Sequence, residues 1–289
     1  MERAAELIRA GRLVAFPTET VYGLGANALD AEAVARIFAA KGRPHTSPLI
    51  VHVDSIEMAR TLASEWSEAA DLLARRYWPG PLSLVVPKRP MVPDIVTAGL
   101  PTVGLRMPAH AMALALIRAA GVPIAAPSAN RFTELSPTAA AHIPEALADC
   151  TLDGGAARVG IESTVLSLVG APTLLRPGAV SLGELEALIG PILRGATPGE
   201  GAHAAPGMHA RHYRPATPLY LDTARREGKG VVLRMGHEMP SEPRAYAAAL
   251  YQTLHRLDGM CLDWVAVELP PEEPEWAAVL DRLRRAAAG

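Results

Sequence analysis

Apolar positions along the chain fall into short continuous runs and into stripes of helical period, with glycine and proline punctuating both. Residues 13–16, ended by Pro17, read as a buried strand. Residues 49–53, 82–86, 103–106 and 123–126 read the same way. Residues 4–10 predict a short helix, and Asp30 is placed to cap a helix running to about Ala40, with Val34, Ile37 and Phe38 on one face. Residues 55–77 predict two helices, and 110–120 one that Gly121 stops. Ser136-Pro137 is a favoured helix start, so 137–148 is expected to be helical. Residues 163–169 and 173–175 predict a closing hairpin around a turn at 170–172. The mixture is α/β without the regular βαβ rhythm of a doubly wound sheet.

Periodicity fades near residue 195. The stretch 195–217 is rich in Gly, Pro, Ala and His and reads as a linker. Beyond it, strands at 218–221, 230–234 and 264–268 and helices at 242–257 and 274–287 predict a small α/β, Rossmann-like domain over 218–289. The larger domain is then 1–194, and 289 residues suit one large and one small unit.

Composition narrows the function classes. With 49% hydrophobic and 20% charged residues, a packed core is expected. A net charge of -2 does not suit a protein that coats nucleic acid, so any RNA contact needs a local patch. Cys150 and Cys261 stand far apart with no CxxC partner, which argues against a disulfide framework or a cysteine zinc site and for a reducing cytoplasm. The first ten residues lack an apolar signal core, and no apolar stretch reaches spanning length, so no membrane association is expected.

Several clusters carry candidate chemistry. Residues 16–25 follow a strand end with Thr18, Thr20, Gly23 and Gly25, where backbone amides and short hydroxyls can approach a ligand. Residues 23–28 imitate a dinucleotide fingerprint, but the acidic residue expected about 20 positions later is missing. Lys41 and Arg43, held by Gly42 and Pro44, can neutralise a polyphosphate, and the chain has no Walker A motif to do so instead. His52 ends an apolar strand. Arg106 ends another and can take a carboxylate through two parallel hydrogen bonds, although on spacing alone a surface arginine is the better reading. Ser128 has no nucleophile elbow around it and reads as a ligand or turn hydroxyl. Ser136 reads as an N-cap or an anion contact at a helix start. Residues 160–164 and 175–178 are turns by themselves. His209 and His212 lack a third metal ligand, so the segment 205–215, with Tyr213, reads better as an aromatic, basic strap over a nucleotide.

In this order and at these intervals, the clusters at 17–25, 41–52, 97–108, 125–130, 160–164, 176–178 and 206–215 resemble the YrdC family of threonylcarbamoyl-AMP synthases. The resemblance covers about 4–188, and the linker and second domain look like the family's two-domain long form, with a shorter second domain than usual. It implies a twisted mixed sheet with surrounding helices and a deep positive cleft. It implies an enzyme that makes L-threonylcarbamoyl-AMP and pyrophosphate from ATP, L-threonine and bicarbonate, for threonylcarbamoyl modification of tRNA beside the anticodon. It implies a threonine site of Thr20, His52, Arg106, Ala126 and Ser163. It also implies an ATP site of Lys41, Arg43, Ser47, Thr102, Ser128, Ser136, Arg176 and Tyr213. Lys41 and Arg43 are expected to act on the polyphosphate, with Mg2+ arriving on ATP rather than on a protein metal site. Downstream threonylcarbamoyl-transfer proteins are the expected partners, with weak RNA binding as a minor activity.

Two other readings stand beside this one. A carbamoyl-transfer protein of hydrogenase maturation contains a related domain but needs zinc-binding cysteines that this chain lacks. An RNA-binding module without turnover needs a basic stripe with stacking aromatics, which the composition does not offer.

Overall fold

The computed structural model describes residues 1–195 and 212–288. The first unit opens with α1 (Glu2–Arg9), β1 (Val14–Phe16), β2 (Gly23–Asn27), α2 (Ala31–Lys41) and β3 (Ile50–His52). It continues through α3 (Ile56–Leu62), α4 (Glu68–Tyr77), β4 (Leu82–Pro87), α5 (Asp94–Thr97), β5 (Thr102–Arg106), α6 (Ala111–Ala120) and β6 (Ile124–Ala125). It ends with β7 (Cys150–Thr151), β8 (Thr164–Ser167), β9 (Thr173–Arg176), α7 (Leu182–Ile189) and β10 (Leu193–Arg194). The second unit holds β11 (Leu219–Tyr220), β12 (Gly230–Leu233), α8 (Pro243–Asp258), β13 (Trp264–Val267) and α9 (Ala277–Ala287).

The first unit's strands form one mixed sheet in the order β10-β9-β8-β4-β5-β3-β6-β2-β1-β7. Apolar helix faces cover it: Val34, Ile37 and Phe38 of α2 join Leu24, Val51 and Leu105 in the main core. Ile8 of α1 and Leu116 and Ile117 of α6 pack with Phe16 and Ile124 in a second cluster. Asp30 caps α2 as expected, accepting from the amides of Glu32 and Ala33. Gly42 stops α2 in the left-handed region, at φ 61°, and this turn sends the chain away from the helix at Arg43.

Some expectations fail on local grounds. Residues 137–148 are not helical beyond one 3-10 turn, Ala140–His142. The Pro137 carbonyl accepts from the Tyr22 amide and Ala157 N donates to Thr138 O, so this backbone is bonded across the fold rather than along itself. The Gly23–Asn27 stretch, which imitates a dinucleotide fingerprint, forms β2, which pairs with both β1 and β6. Its glycines leave room for the neighbouring Phe16 ring.

The second unit is a parallel sheet in the order β11-β13-β12 packed with α8 and α9. Its core reaches into the first unit, joining Val21, Leu135 and Ile161 to Tyr246, Leu250 and Tyr251. Gly160 sits at this seam with φ +76°, and a β-carbon there would meet Ala248 Cα at 2.5 Å and Ala247 O at 2.6 Å on α8. Gly160→Ala is therefore expected to destabilise the protein by about 2 kcal/mol or more, measured by denaturant unfolding, with an unchanged midpoint contradicting the seam.

Candidate active site

Strand direction builds the site. β3 and β5 run parallel with His52 opposite Arg106, so both side chains emerge at the same sheet end. β6 runs against β3, and the amide of Ala126 donates to Ile50 O at 3.0 Å, closing that end from the other side. The following loop is bonded to β2, with Leu24 N donating to Pro127 O and Ala129 N to Tyr22 O, which brings Ser128 opposite Gly23. Ser163 precedes β8 and its hydroxyl meets that of Ser83 on β4 at 2.8 Å.

His52, Arg106, Ala126, Ser128, Gly23 and Ser163 line one cavity that opens to solvent, together with Thr18, Thr20, Arg43, Glu162, Arg176, His212 and Tyr213. All of Thr20, His52, Arg106, Ala126 and Ser163 lie on its wall, as do Arg43, Ser128, Arg176 and Tyr213. All five positions expected to hold threonine and four of the eight expected to hold ATP thus share one space.

Lys41, Ser47, Thr102 and Ser136 do not line it. The Lys41 amine donates to Ser128 O at 2.5 Å, to Asn130 Oδ1 at 3.3 Å and to Asn130 O. Burial and the charge of Arg43 push its pKa well down. It ties the Ser128 loop to the end of α2, a role that the polyphosphate expectation did not contain. The Ser47 hydroxyl accepts from Arg43 at 2.7 Å. Ser136 is no N-cap; its hydroxyl donates to Glu162 at 2.5 Å. Thr102 faces a separate small cavity beside Pro48, Ile50 and Leu100. Of the strap, residues 205–211 lie outside the described residues, whereas Tyr213 is in place and its ring is 5.8 Å from that of Tyr251.

Electrostatically the wall carries the guanidinium groups of Arg43, Arg106 and Arg176. Arg43 donates to Ser47 Oγ and, at 3.1 Å, to Pro48 O. Burial, with Arg176 nearby, lowers its pKa to about 10, so it stays charged at neutral pH. Arg106 donates from Nε to Gly80 O at 3.2 Å and lies 2.8 Å from a carboxylate oxygen of Glu19. That contact is ionic without hydrogen-bond alignment, since Arg106 Nη2 and both Glu19 oxygens lack an aligned partner. Arg176 donates to Ser163 O from Nε at 3.1 Å and from Nη2 at 2.9 Å.

The Thr18 hydroxyl has one proton, which goes to Val21 O at 2.6 Å. In its 2.8 Å contact with Thr20, the Thr20 hydroxyl must then be the donor. Thr20 therefore offers a ligand only acceptor lone pairs, which suits an amine or hydroxyl proton.

His52 is held neutral, its pKa lowered from 6.5 to about 3 by burial and then by Arg106. The unfolded chain takes up this proton below about pH 6.5 and the folded one does not, so stability is greatest above that pH and is lost as pH falls toward 3. The urea midpoint is expected to drop steadily from pH 7 to about 4, and His52→Gln to flatten part of that drop; identical slopes in both proteins would contradict a neutral buried His52.

Sequence reasoning missed Glu162 as a site residue, although it lies inside the 160–164 cluster. It also missed Arg282, whose signal is a charge on the apolar face of α9 marked by Val279, Leu283 and Ala286. Among the described residues no group of three or more His, Cys, Asp or Glu is arranged to hold a metal. The carboxylates at the cavity, Glu162 and Glu19 behind Arg106, are each in contact with an arginine.

Comparison with known proteins decides the family. The Sua5/YciO/YrdC family model, described as "Telomere recombination", matches residues 6–178, and the model described as "Threonylcarbamoyl-AMP synthase, C-terminal domain" matches 180–288. The chain belongs to the Sua5/YciO/YrdC family. Within it, the threonylcarbamoyl-AMP synthase of Pyrococcus abyssi is 44% identical over 98% of this chain and 93% of its own length. That of Bacillus subtilis is 41% identical over 99% and 92%. The crystal structure of P. abyssi Sua5 complexed with L-threonine superposes with a TM-score of 0.93 at 42% identity, covering 99% of this chain and 93% of the other. The family's fold extends to E. coli YciO, at 23% identity and a TM-score of 0.54 over 61% of this chain. Both the mixed sheet with its cleft and the second α/β unit agree with the two-domain long form.

Proposed function

We propose that this chain is a threonylcarbamoyl-AMP synthase, joining L-threonine, bicarbonate and ATP into L-threonylcarbamoyl-AMP with release of pyrophosphate. The observation that carries the reading is the single cavity holding Arg106, His52 and Thr20 at one strand end beside Arg43, Arg176 and Ser128. It agrees with the full-length likeness to relatives of that name and to a structure with threonine bound.

The chemistry follows from these groups. The threonine amine condenses with bicarbonate, losing water, to give a carbamate. A carbamate oxygen then attacks the α-phosphorus of ATP, the bond from that phosphorus to the β-phosphate's bridging oxygen breaks, and pyrophosphate leaves with the electron pair. No protein nucleophile is needed, so the enzyme's contribution is positioning and charge stabilisation. Arg106 takes the threonine carboxylate, and Thr20 accepts from the amine or hydroxyl. Ser163 and His52 line the amino-acid end, and Ala126 sets its width. Arg43 and Arg176 face the polyphosphate, while Lys41 and Ser47 hold Ser128 and Arg43 in place. Magnesium enters as part of the substrate, MgATP, since the cavity carboxylates are already matched by arginines. Tyr213 closes one wall and limits water around a labile carbamate.

The division into a catalytic unit at 1–194, a linker at 195–217 and a closing unit at 218–289 belongs to the same proposal. So do threonylcarbamoyl-transfer proteins and tRNA as downstream partners, weak RNA contact and a cytoplasmic location. No helix among the described residues is long and apolar enough to cross a membrane. The test is pyrophosphate release by the purified chain. Release that requires both threonine and bicarbonate is expected, and tight, salt-sensitive RNA binding without turnover would favour an RNA-binding module instead.

A further inference from the structure

We infer that Arg282, on α9 of the second unit, is a positioning residue for the nucleotide end of the cavity and acts by matching the charge of Glu162. The inference rests on the cavity being the ATP and threonine site.

Arg282 is 0% exposed and does not line the cavity, yet it stands directly behind two residues that do, Glu162 and Tyr213. Its Nε donates to Glu162 Oε2 at 2.8 Å. Its Nη2 donates at 3.1 Å to the carbonyl of Pro177, the residue after Arg176. Its guanidinium carbon lies 5.2 Å from the centre of the Tyr213 ring. Asp281 accepts from Nη1 at 2.6 Å and holds the guanidinium in this orientation.

Glu162 makes the arrangement informative. An ionised carboxylate only accepts hydrogen bonds. Glu162 takes them from the Ser136 hydroxyl at 2.5 Å, the Tyr251 hydroxyl at 3.2 Å and Arg282. Of these donors only Arg282 is a cation. Two positive charges hold the Glu162 carboxyl below its ordinary range against burial, Arg282 first and Arg176 after it. With Arg282 in place the negative charge of Glu162 is answered from behind the wall. Without it, Arg176 is the remaining cation that acts on that buried charge, and the carboxylate's field falls on the cation that faces the nucleotide. A triphosphate would then meet an unmatched carboxylate. The threonine carboxylate has a cation of its own in Arg106 at the β3 and β5 ends, which Arg282 does not touch. Ser136 and Tyr251 set the carboxylate's direction but cannot change its charge.

The experiment compares wild type, Arg282→Met, Glu162→Gln and the double variant in steady-state pyrophosphate release, with ATP and threonine titrated separately. Arg282→Met is expected to raise KM for ATP at least about tenfold while threonine KM moves by less than about threefold. In the Glu162→Gln background the same arginine change is expected to shift KM for ATP by less than about threefold, because the charge it answers is gone. A tenfold effect that persists in the Glu162→Gln background, or an ATP KM near wild type in Arg282→Met, would overturn the inference. Should Arg282→Met fail to fold, Glu162→Gln against the double variant still decides it on the same criterion. Failure of the functional reading is a separate result, since the wild type would then release no pyrophosphate with ATP and threonine.

Discussion

Arg106→Ala slows threonine-dependent pyrophosphate release at least about tenfold, which is about 1.4 kcal/mol of lost transition-state stabilisation. The loss should fall on KM for threonine more than on KM for ATP. Arg106 closes β5 opposite His52 of β3, and its Nε is spent on Gly80 O, so the outer edge of the guanidinium is aimed by the sheet itself. Its Nη2 has an ionic neighbour in Glu19 but no aligned hydrogen bond, which leaves donor capacity for a carboxylate. Alanine also strands Glu19, 3% exposed, without its cation, and breaking a buried pair in this way costs roughly 3–5 kcal/mol of stability. Arg106→Lys restores the charge to Glu19 but not the planar fork, so it should recover stability more than activity. Threonine titrations and thermal midpoints measured on both variants check the two halves. A near-normal threonine KM in Arg106→Ala would remove Arg106 from the substrate site.

Arg43→Ala is expected to lose at least about tenfold in the same assay, with ATP KM carrying the loss. Arg43 reaches the cavity because Gly42 ends α2 in the left-handed region, and Ser47 Oγ and Pro48 O fix one side of its guanidinium. Its Nε is buried with no hydrogen-bond partner, and the charge of Arg176 opposes it. Two like charges held near each other in a dry wall gain from an anion that both can meet, which is what a polyphosphate supplies. Removing Arg43 relieves that repulsion, so the variant should fold as stably as wild type while turning over slowly. That split between stability and activity separates a ligand-facing arginine from a structural one. Wild-type ATP KM in a stable Arg43→Ala would contradict the role.

Much of this site is legible in the sequence because strand ends announce themselves. His52 and Arg106 each close an apolar run, and parallel pairing of the two runs was enough to bring them together. Capping chemistry made the start of α2 legible too, at Asp30. Legibility stopped where the backbone bonds at long range. Ser136-Pro137 looks like a helix start, but the Pro137 carbonyl is taken by Tyr22 and the Ser136 hydroxyl by Glu162. Lys41 looks like a phosphate cation, but its amine is spent on carbonyls of the Ser128 loop, a contact 87 residues away in sequence. Arg282 interrupts an apolar helix face, and nothing local to α9 says that its partner is Glu162, 120 residues earlier. Short-range pattern identified the cations; only tertiary structure separates those that face the cavity from those that brace it.

The central claim is that one cavity joins threonine, a carbamate carbon and an adenylate. The most direct test is mass-spectrometric analysis of the products of the purified chain with ATP, threonine and ¹³C-labelled bicarbonate. The account predicts threonylcarbamoyl-AMP carrying the label, formed in equal amount with pyrophosphate and absent when threonine is omitted. Pyrophosphate or phosphate released without threonine, and with no labelled adenylate, would contradict it.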